Sequence, residues 1–472
     1  MNRCNVDFLI QQKPEFKYNF DDLKNIPMKV SCLVDFNVVD GGSLYSGTSD
    51  TYIKNDTNQY KISGVNNYGE LGVGNTNPVT TFIDIDVEDI KYAHVSSYSF
   101  LVAGDNYNLY VSGDNSHGNL GVGDTTNRNS WTLTSLSNVK EVIAGNRNSY
   151  IILNDNSLWV AGWNRNGELG FSSGEIRSWS NTEIKAYKVY IGFWNAMVIS
   201  DGGVVMATGL NQSGILGYNA VPGSGNEYNL NHWWNTGIDG AIDITYGLIL
   251  KSDGTIREPE SLDTATEEST WYDPGLTNVV EITSSKVLLS DGTIRVKGWN
   301  GSKYLGVGNI DPVEDWTDPG ITNVKKICAE IYNDSLGSVV LLNDNTIRVA
   351  GTSVYGKLGI GIDVVTDVWI DPGVNNVKEV FNLAWTVFIL KNDGTLWGAG
   401  NNSTGVLGLG HENNVGYFTD LGLTNVNKII SLNNYSGYIV VLLDDGTLWG
   451  AGYAPGLGGV SHVNTWTKLI IE

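Results

Sequence analysis

Trp369-Ile-Asp-Pro-Gly-Val-Asn-Asn-Val-Lys-Glu-Val380, Trp385-Thr-Val-Phe-Ile-Leu390, Asn392-Asp-Gly-Thr-Leu-Trp-Gly-Ala-Gly400 and Gly405-Val-Leu-Gly-Leu-Gly410 follow one another as the parts of one unit, and that unit recurs along the chain. Each part has a physical role. Asp371-Pro372-Gly373 is a turn, with proline presetting φ and glycine supplying a positive φ. Leu383 to Leu390 and Thr395 to Gly398, joined across Asp393-Gly394, form a hairpin signal, because Asp-Gly suits a primed two-residue turn. Two short strands ahead of the hairpin, beginning at Trp369, bring the unit to four strands.

The hairpin signal recurs nine times, from Asn55-Asp56 to Asp445-Gly446. The glycine ending the second hairpin strand falls at Gly64, Gly113, Gly162, Gly209, Gly298, Gly351, Gly400 and Gly452, at intervals of 49, 49, 47, 89, 53, 49 and 52 residues. The long interval holds a degenerate copy near Arg257. Seven residues after the first seven of these glycines comes Leu-Gly, at Leu71, Leu120, Leu169, Leu216, Leu305, Leu358 and Leu407, with Leu457 in a compressed eighth copy.

Gly64-Val-Asn-Asn-Tyr-Gly-Glu-Leu-Gly-Val-Gly74 and Gly162-Trp-Asn-Arg-Asn-Gly-Glu-Leu-Gly170 resemble the signature of the regulator of chromosome condensation repeat family, and the resemblance covers about nine tenths of the chain. It implies an all-β protein, a single closed β-propeller of four-stranded blades around a channel, seven in most of the family. Repeats of this length with several strands each point to blades on their own account. The count here departs from seven, at eight to nine. Trp466-Thr-Lys-Leu-Ile-Ile471 reads as the first strand of a split blade whose remainder ends at Gly64, so the ring is expected to close by pairing N- and C-terminal strands. Residues 1–40 lack the repeat and read as an N-terminal extension or docking segment, a route to other subunits of a larger assembly. Residues 41–472 read as the propeller.

The net charge of −22, from 51 acidic and 29 basic residues, disfavours nucleic acid and anionic lipid as partners, and no basic tail offsets it. No apolar run is long enough to insert in a membrane, and the first twelve residues hold too short an apolar run for a signal peptide. Cys4, Cys32 and Cys328 have no metal spacing. His94, His117, His232, His411 and His462 are scattered, which gives a metal hydrolase no support, and there is no Gly-x-Ser-x-Gly elbow. The Leu-Gly-x-Gly runs lack the Lys-Ser/Thr of a phosphate loop and read as turns. No cofactor and no metal are implied.

Two irregular loops are the candidate binding sites, since loops can vary where ring strands must agree. The first, residues 218–234, offers Tyr228, His232, Trp233 and Trp234 for stacking and hydrogen bonding to a glycan or protein, although one tryptophan occupies the recurring blade position of Trp131, Trp316 and Trp369. The second, from Arg257 to Trp271, places Glu258 and Glu260 with Asp263, Glu267 and Glu268. It lacks cation-loop spacing and reads as solvated. The expected function is non-enzymatic recognition of a protein or cell-surface glycan, with a receptor-binding or peripheral place on a phage tail or related particle, a virion or extracellular location reached without a signal peptide. A cytoplasmic regulatory or scaffold propeller, of the nucleotide-exchange kind, is the alternative, and a glycan-cleaving enzyme the weaker one.

Overall fold

The computed structural model describes residues 51–469, apart from 55–59, 89, 91, 96–98, 105–106, 146, 173, 193, 212–215, 218–228, 246, 260–270, 329–336, 384, 434–436 and 454–461. The N-terminal segment, Tyr228 and Glu260 therefore lie outside the described residues. Short strands follow one another in antiparallel order, and each sheet is a meander of sequence neighbours. The unit quoted above resolves as strands Val377–Asn382, Thr386–Lys391, Leu396–Gly400 and Val415–Asp420, paired in that order. Among the described residues there are nine such units: a three-stranded one at 51–84 and four-stranded ones at 92–133, 139–185, 186–235, 241–272, 279–317, 324–370, 377–420 and 426–468. The third and fourth share one long strand, Ile176–Ile191, and so form a seven-stranded sheet.

The starting point of the blade differs from the sequence reading. Trp369 lies in Val365–Ile370, which pairs with Ile347–Thr352 and is the last strand of its blade. Trp466 likewise lies in Val463–Lys468, paired with Leu448–Gly452, so it completes the ninth blade instead of opening a split one. A tryptophan-bearing edge strand and a turn of positive-φ asparagine such as Asn376 or Asn425 come between blades, and pairing runs backward from the tryptophan, not forward. Pairing of the C-terminal strand with the N-terminal segment lies outside the described residues.

The hairpin turn also differs. Gly394 N–H donates to Lys391 O at 3.0 Å, Lys391 N–H donates to Thr395 O at 3.0 Å, and Gly394 alone has positive φ, at +78°. A primed turn needs a left-handed first residue as well, at a steric cost to Asp393. The chain instead uses a longer turn, with glycine at the bulge. Asp393 Oδ1 accepts from Thr395 N–H at 3.0 Å and from its hydroxyl at 2.7 Å, which rewards the right-handed conformation. Asn156 and Asn345, with φ of +66° and +62°, take the glycine's place in two other copies.

The core lies between blades. Among the described residues, eight apolar clusters join consecutive blades: Ile62 and Leu71 with Val102, Leu101 and Leu120 with Ile151, and so on to Phe388 and Leu407 with Val441. Strand residues alternate in direction, so each sheet from the second blade to the eighth buries both faces against its two neighbours. The seven Leu-Gly leucines among the described residues are fully buried. The glycine that follows lets the turn lie flat against the last strand of the next blade: a Cβ on Gly72 would stand 2.6 Å from the Trp131 indole nitrogen, and one on Gly408 2.5 Å from that of Trp466. The same contact joins Gly121 to Trp179, Gly170 to Trp233, Gly217 to Trp271, Gly306 to Trp369 and Gly359 to Phe418.

Candidate functional site

Strand direction alternates within a blade, so the loop after the first strand and the loop after the third emerge on one side, and the hairpin turns with the interblade connectors emerge on the other. Neighbouring blades keep the same sense. Thr404 Oγ1 donates to Gly437 O of the next blade at 2.8 Å on the loop side, and Asp444 N–H donates to Asn425 O at 2.8 Å on the turn side. The turn side is acidic. Asp253, Asp291, Asp344, Asp393 and Asp445 all bond a threonine two residues on, which holds their carboxyls below the usual range.

The loop side is aromatic and locally basic. Its long loops are braced from within. Asn66 Oδ1 accepts from Leu71 N–H at 3.0 Å, and Asn115, Asn164, Asn211, Asn300 and Asn402 do the same for the leucine five residues on. In the seventh blade Ser353 Oγ replaces the amide. This role of the motif asparagine is visible in the sequence only as a spacing. Around the braces stand half-exposed rings, Tyr68, Trp194, Trp299, Tyr355 and Tyr453. Tyr355 meets Trp385 of the next blade edge-on at 5.6 Å.

On the same side, the loop between Ser157–Gly162 and Ile176–Ile191 of the third blade borders a pocket of about 430 Å³ lined by Trp163, Asn164, Arg165, Gly174 and Glu175. The Arg147 guanidinium lies 5.5 Å from the centre of the Trp163 ring, and His117 meets the same ring edge-on at 4.5 Å. His117 Nδ1 is 3.1 Å from Glu175 Oε1, and Arg177 donates to Glu175 Oε2 at 3.0 Å. These bonds, that of His117 first, hold the Glu175 carboxyl below its usual range. The pocket was not among the sequence candidates, because its residues are spread over 117–177 and share no motif.

The sequence candidates fall elsewhere. His232 is exposed on the strand Asn229–Asn235, its Nδ1 3.3 Å from Asn231 Oδ1. Trp233 and Trp234 point to opposite faces of that strand and each packs against a different interblade cluster, so both are blade residues where one was expected to be free. Glu258 is not solvated. It is 5% exposed, accepts from Lys297 Nζ at 2.7 Å and Trp316 Nε1 at 3.1 Å, and also bonds the Tyr272 hydroxyl. Among the described residues it stands in the blade that lacks Leu-Gly, and it holds the next blade's tryptophan through a carboxylate alone, whereas Trp271 and Trp466 combine the glycine contact with a hydrogen bond to a backbone carbonyl, Leu216 O at 3.1 Å and Leu421 O at 2.9 Å. Among the described residues no group of three or more His, Cys, Asp or Glu could hold a metal. Burial pushes the Cys328 thiol up to about 12, so it stays a protonated core residue.

Two carboxyls behave differently. Glu70 and Glu168 precede the motif leucine and are almost fully buried, and burial raises both to about 7 from an ordinary 4.5. Between those two values the folded chain holds protons that the unfolded chain has released, so this contribution to stability is fully present below pH 4.5 and is lost as pH rises from there through 7. The loss is about 3 kcal/mol per group at most. Urea unfolding of Glu168→Gln should show higher stability than wild type at pH 8 and no gain at pH 5. Parallel pH profiles for the two proteins would overturn this assignment.

No family model and no curated protein matches the chain. Solved structures do. Human WBSCR16 aligns over 77% of this chain and 94% of its own, with 16% identity and a TM-score of 0.45. Prp20p of Saccharomyces cerevisiae, described with its binding properties to Gsp1p and histones, aligns over 84% and 90%, with 16% identity and a TM-score of 0.46, and the same protein, named yeast RCC1, aligns similarly in its complex with Kap60. The strand pairing and the repeat carry the assignment of fold directly: this is an all-β chain of propeller blades whose repeats resemble those of the regulator of chromosome condensation family.

Proposed function

We propose that the chain is a non-enzymatic, protein-binding propeller of the regulatory or scaffold kind, and that the loop side is its binding surface. The observation that supports this reading is the asymmetry of the two sides: half-exposed aromatic rings stand on loops locked by buried asparagines, opposite a side of ionised aspartates in tight turns. Rigid aromatic residues offer large contact area at small entropic cost. No observation among the described residues favours a phage-tail place or a glycan over a protein.

The test compares a loop-side variant, Tyr68→Ala with Trp299→Ala and Tyr355→Ala, with a turn-side variant, Asp253→Asn with Asp291→Asn and Asp393→Asn. Both are used as bait for crosslinking in extracts of the native host, followed by affinity measurement with the purified partner. The partner of the wild type should bind the turn-side variant normally and the loop-side variant more than about tenfold weaker, since a true aromatic anchor is worth about 2 kcal/mol. Equal binding by the loop-side variant, or ring-dependent binding on a glycan array, would overturn the reading.

A further inference from the structure

Seven of the eight arginines lie in the described residues, and five of them pair with a carboxylate: Arg128 with Asp124, Arg177 with Glu175, Arg257 with Asp273, Arg295 with Asp318 and Arg348 with Asp371. The remaining two are Arg147 and Arg165. One lies over the Trp163 ring and the other lines the pocket beside it. In a chain with 51 acidic residues, carboxylates are not scarce, and both arginines are exposed with no ion pair among the described residues.

We propose that this pocket is a carboxylate subsite, which takes an Asp or Glu side chain of the protein partner between Arg147 and Arg165, with an adjacent apolar residue of the partner against Trp163. The inference rests on the loop side being the binding surface. Guanidinium donors suit a carboxylate because two parallel N–H groups meet its two oxygens. The cation–π contact with Trp163, 5.5 Å from the ring centre, restrains the Arg147 guanidinium, which lowers the entropy lost on binding. The other polar groups of the pocket are already engaged. The Asn164 amide donates to Phe171 O at 3.1 Å and Ser172 O at 2.9 Å, and Glu175 is held by His117 and Arg177. Glu175 also sets the class of anion, because its fixed charge repels a phosphate dianion about twice as strongly as a carboxylate. The net charge of −22 keeps polyanions such as nucleic acid away, so the subsite acts at short range once other contacts have brought the partner in.

The experiment uses the full chain and fluorescent peptides of alternating Glu and Leu, with Gln-Leu and phosphoserine-Leu counterparts, read by anisotropy at two salt concentrations. Wild type should bind the Glu peptide, prefer it to both counterparts and weaken in salt. Arg147→Gln with Arg165→Gln should lose about tenfold or more in affinity, Arg165→Lys should lose less, and Lys391→Gln on the turn side should match wild type. Circular dichroism checks the fold of each. No binding of the Glu peptide at millimolar concentration, equal binding of the Gln peptide, preference for phosphoserine, or an unaffected double variant would each overturn the proposal. The two readings fail separately. A partner that needs Trp299 and Tyr355 but ignores the arginines leaves the loop-side reading standing without the subsite. Arginine-dependent peptide binding together with a partner that ignores the loop-side rings does the reverse.

Discussion

Gly359→Val is expected to destabilise the protein by about 4 kcal/mol, measured as a drop in the urea midpoint at unchanged slope. Two costs add. Gly359 has a φ of +69°, where a β-branched residue is strained, and a Cβ there would lie 2.2 Å from Cδ2 and 2.4 Å from Cε2 of Phe418. Gly373 separates the two, because it has a φ of +80° and nothing within 4 Å of the added atom. Gly373→Ala should therefore cost only about 1 kcal/mol. Phe418→Ala, introduced beside Gly359→Val, should cost less than it does alone, since it relieves the collision. A Gly359→Val protein with the wild-type midpoint would show that these turns do not press on the neighbouring blade.

Glu258→Ala is expected to cost about 3 kcal/mol, toward the lower end for a broken buried pair because the Lys297 side chain is about a quarter exposed. The variant leaves the Trp316 indole N–H without its acceptor and Lys297 with only the Tyr272 hydroxyl, at 3.0 Å. Burial works against the Lys297 ammonium, yet Glu258 and Tyr272 more than offset it and the pKa rises. Restoring electroneutrality with Lys297→Met beside Glu258→Ala should recover most of the loss. Thermal melts of wild type, both single variants and the double variant close the cycle. A solvated Glu258 would give changes within about 0.5 kcal/mol for all of them.

The strands, hairpins and motif glycines were legible in the sequence because each depends on residues close to it in the chain. The origin of the blade was not, since a periodic pattern fixes its period and leaves its starting point free. Trp369 fits the head of one unit as well as the tail of the one before, and only its pairing with Ile347–Thr352 decides. Asp393-Gly394 is compatible with two turn lengths, and the hydrogen bonds of Thr395 choose between them. Glu258 looked solvated because it opens an acidic stretch, whereas its partners Lys297 and Trp316 lie 39 and 58 residues away. Arg147 and Arg165 stand out only after every other described arginine has found its carboxylate, a fact of space and not of order in the chain.

The contact of each described Leu-Gly turn with the aromatic ring of the following blade is one-directional: a blade grips its successor and is gripped by its predecessor. An interface between unlike surfaces of this kind either closes on itself or goes on adding members, as between subunits that form rings or filaments. Gly72 presses on Trp131 at one end of the described series and Gly408 presses on Trp466 at the other, in the same sense throughout. A blade of this kind cannot pair with an identical one through this contact, so the unlike faces that hold the blades together also fix their order.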